Sequence, residues 1–148
     1  DGTDMVYLDV VESPQRVKLA AAVGQRLPAF STASGKAVLA FSPDSFVRRT
    51  LEAGIPISTE YTLRTPEAFL SDLGQTRERG FSLAVQEFEE GITAVAAPVL
   101  GQGDVPLGAL SIAGPSFRLT RERMTEIGPA VAATGRAIGQ ELDLARPF

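Results

Sequence analysis

Residues 91–115 read G-I-T-A-V-A-A-P-V-L-G-Q-G-D-V-P-L-G-A-L-S-I-A-G-P, and this stretch decides the fold. It holds two short apolar runs, 92–100 and 106–113, separated by Gly101-Gln102-Gly103-Asp104. Runs of that length, punctuated by a glycine-rich tetrapeptide, predict two antiparallel strands joined by a short hairpin loop. Side chains alternate between the two faces of a strand. Ile92, Ala94 and Ala96 therefore share one face of the first strand, and Ala109, Ser111 and Ala113 share one face of the second. Small side chains on adjacent strands either leave volume for a guest or let a helix pack closely; both readings stand at this point.

Working outward, 81–87 predicts a third strand. Ahead of it, Thr65-Pro66-Glu67 carries the start signal of a helix: a hydroxyl cap, proline in the first turn and an acid at the positive end. Phe69, Leu70 and Leu73 give that helix an apolar stripe, and Gly80 stops it. Ser42-Pro43-Asp44 repeats the start signal for a helix ending at Gly54, and Thr32 or Ser34 caps a shorter one reaching Phe41. At the start of the chain 5–11 reads as a strand, with 17–23 as its hairpin partner across the Glu12-Ser13-Pro14-Gln15 turn. Thr120 caps a last, long helix in which positions 124, 127, 131, 134, 138 and 142 keep helical spacing, with a kink or break expected at Gly128-Pro129. The order strand, strand, helices, three strands, helix predicts an α+β domain, an antiparallel sheet covered by helices.

Composition narrows the chemistry. The chain has 148 residues, 44% of them apolar and 22% charged, and a mean hydropathy of +0.07, which fits one globular domain with its own core. No apolar run is long enough to span a bilayer and no signal peptide opens the chain, so the expected location is cytoplasmic with no membrane partner. Cysteine and histidine are both absent. That removes disulfides, thiolate metal sites, imidazole bases and any Ser-His-Asp triad; no metal or other cofactor is expected. The net charge of −4, with arginines scattered among acids, argues against a phosphate-binding face; Arg48-Arg49 and Arg121-x-Arg123 read as solvated helix faces.

Three motifs invite chemistry and lose to plainer readings. Ser34-Gly35-Lys36-Ala37 lacks the glycine and the hydroxyl of a Walker loop, having Phe30 and Ala37 at those positions. The run around Ser111 has alanine where a nucleophile elbow needs glycine, at 109 and 113. Ser34 and Lys36 sit two apart and point to different helix faces, a poor geometry for a Ser-Lys hydrolase. Glu87, Glu89 and Glu90 form an acidic cluster in which Glu87 and Glu89 are expected to share a strand face. A solvated or salt-bridged strand end explains it better than a metal site. A small hydrolase or lyase running on Ser34, Lys36 or the Glu87 cluster remains the alternative to a binding module. Ala33-Ser34-Gly35, at a helix start, offers free N–H groups beside a hydroxyl, a site suited to a carboxylate.

The ordered series Gly24-x-Arg26-Leu27-Pro28, Thr32-Ala33-Ser34-Gly35-Lys36-Ala37, Arg77-x-x-Gly80-Phe81, Glu87-x-x-x-Gly91, Ala97-Pro98-Val99 and Leu110-Ser111-x-x-Gly114-Pro115 resembles the ligand-sensing domain of IclR-type bacterial transcription regulators. The resemblance extends over nearly the whole chain. It implies a GAF-like or profilin-like fold, in which a curved antiparallel sheet is flanked by helices, and a sensor that catalyses nothing. It also implies that the chain lacks a preceding helix and strand and an N-terminal winged helix-turn-helix, so that operator DNA is met only through that missing domain. Homodimers or tetramers are implied. The resemblance places a small-molecule effector against Ala33 and Ser34 on the helix, Ile92 and Ala94 on one strand and Ser111 and Ala113 on the next, with Ala84 close by and Arg16 from the Glu12–Arg16 turn. Where relatives that bind small polar acids carry an acidic run, this chain reads Leu83-Ala84-Val85-Gln86. Fewer polar partners favour an aromatic or otherwise partly apolar carboxylic acid.

Overall fold

The computed structural model describes residues 2–145. In chain order the elements are β1 (Asp4–Val6), β2 (Arg26–Pro28), a 3-10 turn (Ala29–Ser31), α1 (Ala33–Ala40), α2 (Asp44–Glu52), α3 (Pro66–Arg79), β3 (Ser82–Val85), β4 (Ile92–Leu100), a 3-10 turn (Gln102–Asp104), β5 (Pro106–Pro115) and α4 (Arg121–Leu144). β4 is the middle strand of an antiparallel sheet ordered β3-β4-β5, and β1 and β2 form a separate antiparallel pair. The sheet lies between α1 on one face and α4 on the other, the α+β arrangement expected.

Local chemistry explains most boundaries. Thr32, Thr65 and Thr120 accept hydrogen bonds from the N–H groups of Gly35, Ala68 and Arg123, capping α1, α3 and α4 as expected. Gly80 closes α3 in the left-handed region (φ 87°), its N–H bonded to the Thr76 carbonyl at 2.8 Å. Ser42 departs from the expectation: its hydroxyl donates back to the Val38 carbonyl at 2.8 Å, so α2 begins after Pro43 with no side-chain cap.

Three further expectations are corrected. The partner of the first strand is not 17–23: Met5 pairs with Leu27, and Tyr7 with Gln25 through a 3.1 Å bond. Residues 24–28 lead directly into the buried turn Ala29-Phe30-Ser31, and that burial fixes the register; Val17 and Val23 have no sheet to enter and stay exposed. In α3, Phe69 and Leu73 are buried but Leu70 faces solvent. In α4 the helix runs unbroken through Pro129, which lies on the exposed side, where the acceptor it leaves without a donor meets water. Its buried face is Met124, Gly128, Val131, Ala132, Gly135 and Gly139, while Thr134 and Leu142 are exposed. The absent side chains at Gly135 and Gly139 let the helix backbone approach the carbonyls of Pro98 and Leu100 on β4.

Three apolar clusters hold these layers, one of them a small seam of alanines between α1 and the sheet. Phe30, Leu39, Val47, Leu51, Phe69 and Leu73 pack under α1, α2 and α3, with Phe30 and Phe69 edge to face at 5.2 Å. Phe81, Leu83, Val95, Met124 and Val131 fill the space between the sheet and α4. On that side the Thr93 hydroxyl bonds the Leu119 carbonyl, fastening the turn that leads into α4.

Candidate functional site

The ladder pairs Ala94 with Ala84 on one side and Ala113 on the other, and Ala96 with Ser82 and Ser111. Directly paired residues project to the same face, so these six small side chains pave the face that α1 covers. Ala33, Ala37, Ala84 and Ala96 meet there in one closed contact, all nearly or wholly buried. The Ser82 hydroxyl reaches the Ala33 carbonyl at 2.5 Å. Gly35 makes a second close approach possible, since a Cβ there would overlap the backbone of Ala29. At the tip of α1 the small residues therefore serve close packing, and the space at this spot is filled.

Beyond this seam the same face stays partly open. Ile92, Ala94 and Ser111 are half-buried and Ala113 is exposed. Six of the eight residues of α1 are buried; the two that are not are Ser34 and Val38, one turn apart on a single stripe. Lys36 reaches toward β3, so the Ser34–Val38 stripe lies about 200° around the helix from it, away from that edge. Thr32 takes the Gly35 N–H, leaving the N–H groups of Ala33 and Ser34 without a partner inside the helix. The arrangement is a shallow floor of small side chains beside a helix start bearing a hydroxyl. Of the residues expected to meet a ligand, Ser34, Ile92, Ala94, Ser111 and Ala113 lie on the open part of this structure, and Ala33 and Ala84 lie in the packed seam. Arg16 is exposed in the segment between β1 and β2. Its neighbour Val17 accepts a 2.9 Å bond from Arg118 just after β5, but no hydrogen bond or ion pair among the described residues joins Arg16 to the other seven.

Lys36 holds the polar feature that sequence reasoning missed. Its side chain is fully buried, and its ammonium donates to the Leu83 carbonyl (2.5 Å) and to both carboxylate oxygens of Glu87 (3.1 and 2.9 Å). Asp72 Oδ1 on α3 lies 3.2 Å from the same nitrogen, an ion-pair contact without hydrogen-bond alignment, since that oxygen has no bonded partner. Burial pushes the Glu87 carboxyl up; Lys36 opposes this, Asp72 adds to it, and the 3.3 Å bond from the Val85 N–H opposes it again. Glu87 and Glu89 do not share a face as expected. The strand ends at Val85 and Gln86 turns left-handed (φ 56°), which swings Glu87 inward while Glu89 and Glu90 stay exposed. One signal was available in the sequence: a lone lysine inside the apolar run A-S-G-K-A-V-L-A needs a carboxylate if that helix is buried.

The family model "Bacterial transcriptional regulator IclR C-terminal" matches residues 1–140. The chain is 33% identical to the HTH-type transcriptional regulator KdgR of Escherichia coli over 144 residues, covering 96% of this chain and 54% of that protein. Among solved structures, the Thermotoga maritima IclR superposes with a TM-score of 0.90 at 29% identity, over 97% of this chain and 58% of that one. The inducer-binding domain of PobR from Acinetobacter, a double mutant in complex with 3-hydroxybenzoic acid, superposes with a TM-score of 0.74 at 25% identity, over 95% of this chain and 86% of that one. The chain spans about half the length of the curated relatives it matches.

Proposed function

The chain belongs to the IclR family of bacterial transcriptional regulators, spanning the family's C-terminal effector-binding domain, and from that premise we propose that its effector is an aromatic or otherwise partly apolar carboxylic acid. The observation that carries this reading is the half-open floor of Ile92, Ala94, Ser111 and Ala113 beside the one unburied stripe of α1. Such a floor offers apolar area and two hydroxyls but no fixed charge, so an acid lying on it needs an apolar body for affinity. Its carboxylate meets the Ser34 N–H and the Ser34 or Ser111 hydroxyl; Arg16 closes over it from the segment between β1 and β2. Ala33 and Ala84, packed behind the floor, set the spacing between α1 and the sheet. A relative of the same fold was crystallised with 3-hydroxybenzoic acid, which makes hydroxybenzoates the first ligands to try.

DNA contact belongs, in this proposal, to a helix-turn-helix domain outside these residues, and the effector acts by favouring one spacing of those domains within a homodimer or tetramer. A hydrolase or lyase built on Ser34, Lys36 and Glu87 has little support, because the Lys36 ammonium is committed to Glu87 on the side of α1 away from Ser34. Calorimetry with 3-hydroxybenzoate and a panel of aliphatic and aromatic acids tests the assignment. Ser34→Ala and Arg16→Ala are expected to weaken binding about tenfold each, the scale of one lost charge-assisted bond. Ala113→Phe, at an exposed position, abolishes binding with little change in thermal stability. Binding of every acid with equal affinity in all three variants rejects the site.

A further inference from the structure

Two carboxylates, Glu87 and Asp72, share the single buried ammonium of Lys36, so the cluster carries one negative charge too many when both are ionised. Arg79, in electrostatic reach of Asp72, offsets part of that charge from outside the buried contact. β4 and β5 have no titratable residue. α1 supplies Lys36 alone; on α3 the further cations are Arg77, which donates to the Ala40 carbonyl, and Arg79, about two turns from Asp72. The irregular segment 57–62 meets the backbone of Gln86 and Glu87 through the hydroxyls of Thr59 and Thr62; its acid Glu60 and its phenol Tyr61 are exposed.

That segment is fastened at one spot. The Thr59 hydroxyl donates to the Gln86 carbonyl at 2.6 Å and the Thr62 hydroxyl to the Glu87 carbonyl at 2.7 Å. Thr62 Oγ1 in turn accepts the N–H groups of Ser58 (3.1 Å) and Thr59 (3.0 Å). Thr62 is buried beneath the segment, whereas Ile57, Ser58, Glu60 and Tyr61 form its exposed outer side. The segment is thus a short strap tied to the backbone of Gln86 and Glu87, and lifting it loosens the turn that holds the Glu87 carboxylate inside.

We propose that Lys36, Asp72 and Glu87 form a proton-tightened latch for the strap 57–62: the strap opens to hydrate Glu87 when both carboxylates are ionised, and closes when the cluster holds one proton. Linkage fixes the sign. The closed state, where burial raises the affinity of Glu87 for a proton, binds that proton more tightly than the open, hydrated state, so acidification favours closure. In the closed, protonated cluster Lys36 and ionised Asp72 balance each other. Asp72 Oδ1, without a bonded partner, is the acceptor available to the Glu87 carboxyl proton or to a Lys36 N–H. The latch stands apart from the effector assignment, because it involves neither Ser34 nor the open floor.

Native-state hydrogen exchange on the ligand-free chain tests it. The protection factors of the Ser58 and Thr59 amides, corrected for intrinsic exchange, are followed from about pH 8 to about pH 5. Protection rises on acidification, by up to about tenfold per pH unit, the limit for one linked proton. Asp72→Asn removes the excess charge and reduces the pH slope, leaving only the part that the burial of Glu87 supplies. Glu87→Gln, the permanently neutral form, gives high and flat protection, and Thr62→Val lowers protection at every pH. Because Asp72 is partly exposed, Asp72→Asn remains usable if Glu87→Gln fails to fold. A flat wild-type profile, protection that falls on acidification, or a pH slope unchanged in Asp72→Asn overturns the latch.

Discussion

Lys36 is the residue whose replacement has the most to say. Its ammonium is fully buried and answers two acids, so Lys36→Met leaves Glu87 and Asp72 facing each other with no cation between them. Breaking a buried pair by deleting one partner typically costs about 3–5 kcal/mol, whereas replacing both partners with apolar groups is often close to neutral. Urea unfolding of Lys36→Met is expected to show a loss in that range, and the double variant Lys36→Met/Glu87→Leu should recover most of it. Recovery of none would mean that Asp72 is the partner that matters. Global stability has its own pH signature. The folded Glu87 carboxyl titrates above its unfolded value, so the folded state holds more protons between those two values. The contribution of this group therefore grows as the pH falls through the folded titration and is complete below the unfolded one. Relative to Glu87→Gln, which cannot titrate, the wild-type protein should gain stability on mild acidification; a constant difference between the two across pH would contradict the raised titration.

α1 shows why a helix can be easy to locate and hard to interpret. Its cap at Thr32 and its length were readable, because a hydroxyl followed by helix formers acts locally. Its near-complete burial was not, since that depends on what lies above and below it. Gly35 marks the tightest approach, against the backbone of Ala29, while Gly74 on α3 has open space where a Cβ would go. The two Gly→Ala variants should move in opposite directions. Gly35→Ala is expected to destabilise by about 1–3 kcal/mol or more through overpacking. Gly74→Ala gains about 0.5–1 kcal/mol from helix propensity and a less flexible unfolded chain. A pair of thermal melts decides it, and equal shifts would refute the close contact. The same division separates the other elements. Thr65, Gly80 and Thr120 announced their helix ends because each acts within one turn. Ser42 misled because its hydroxyl had a competing acceptor one turn back, at Val38. The face of α4 was misread because glycines and one alanine, not only large apolar residues, form its contact with the sheet. For the site, the small-residue pattern was readable on both strands, but the boundary between packed seam and open floor depends on how far α1 extends over β5.

On the scale of the whole molecule, apolar surface is unevenly distributed. The segment between β1 and β2 exposes Leu8 (86%), Val11 (92%), Val17 and Val23, and the β5 side exposes Ile112 and Phe117 (72%). The Arg118–Val17 bond ties these two regions together. β5 is also an edge strand of the described sheet, ten residues long, and its sequence P-L-G-A-L-S-I-A-G-P carries no charge to discourage pairing. Isolated apolar side chains on a surface are ordinary, but a cluster beside an uncharged strand edge favours association. The net charge of −4 is too small to oppose it strongly. This chain is therefore expected to self-associate in a concentration-dependent way, in keeping with the homo-oligomer implied by its family resemblance. Sedimentation velocity over a range of concentrations measures this directly. Val17→Lys combined with Phe117→Glu changes only exposed side chains, so it should shift the population toward monomer while leaving the melting temperature of the folded unit nearly unchanged. A wild-type chain that sediments as a monomer at every concentration would mean that this surface is tolerated uncovered. An oligomer indifferent to both substitutions would move the contact elsewhere, with the exposed Leu142 and Leu144 near the end of α4 as the next surface to alter.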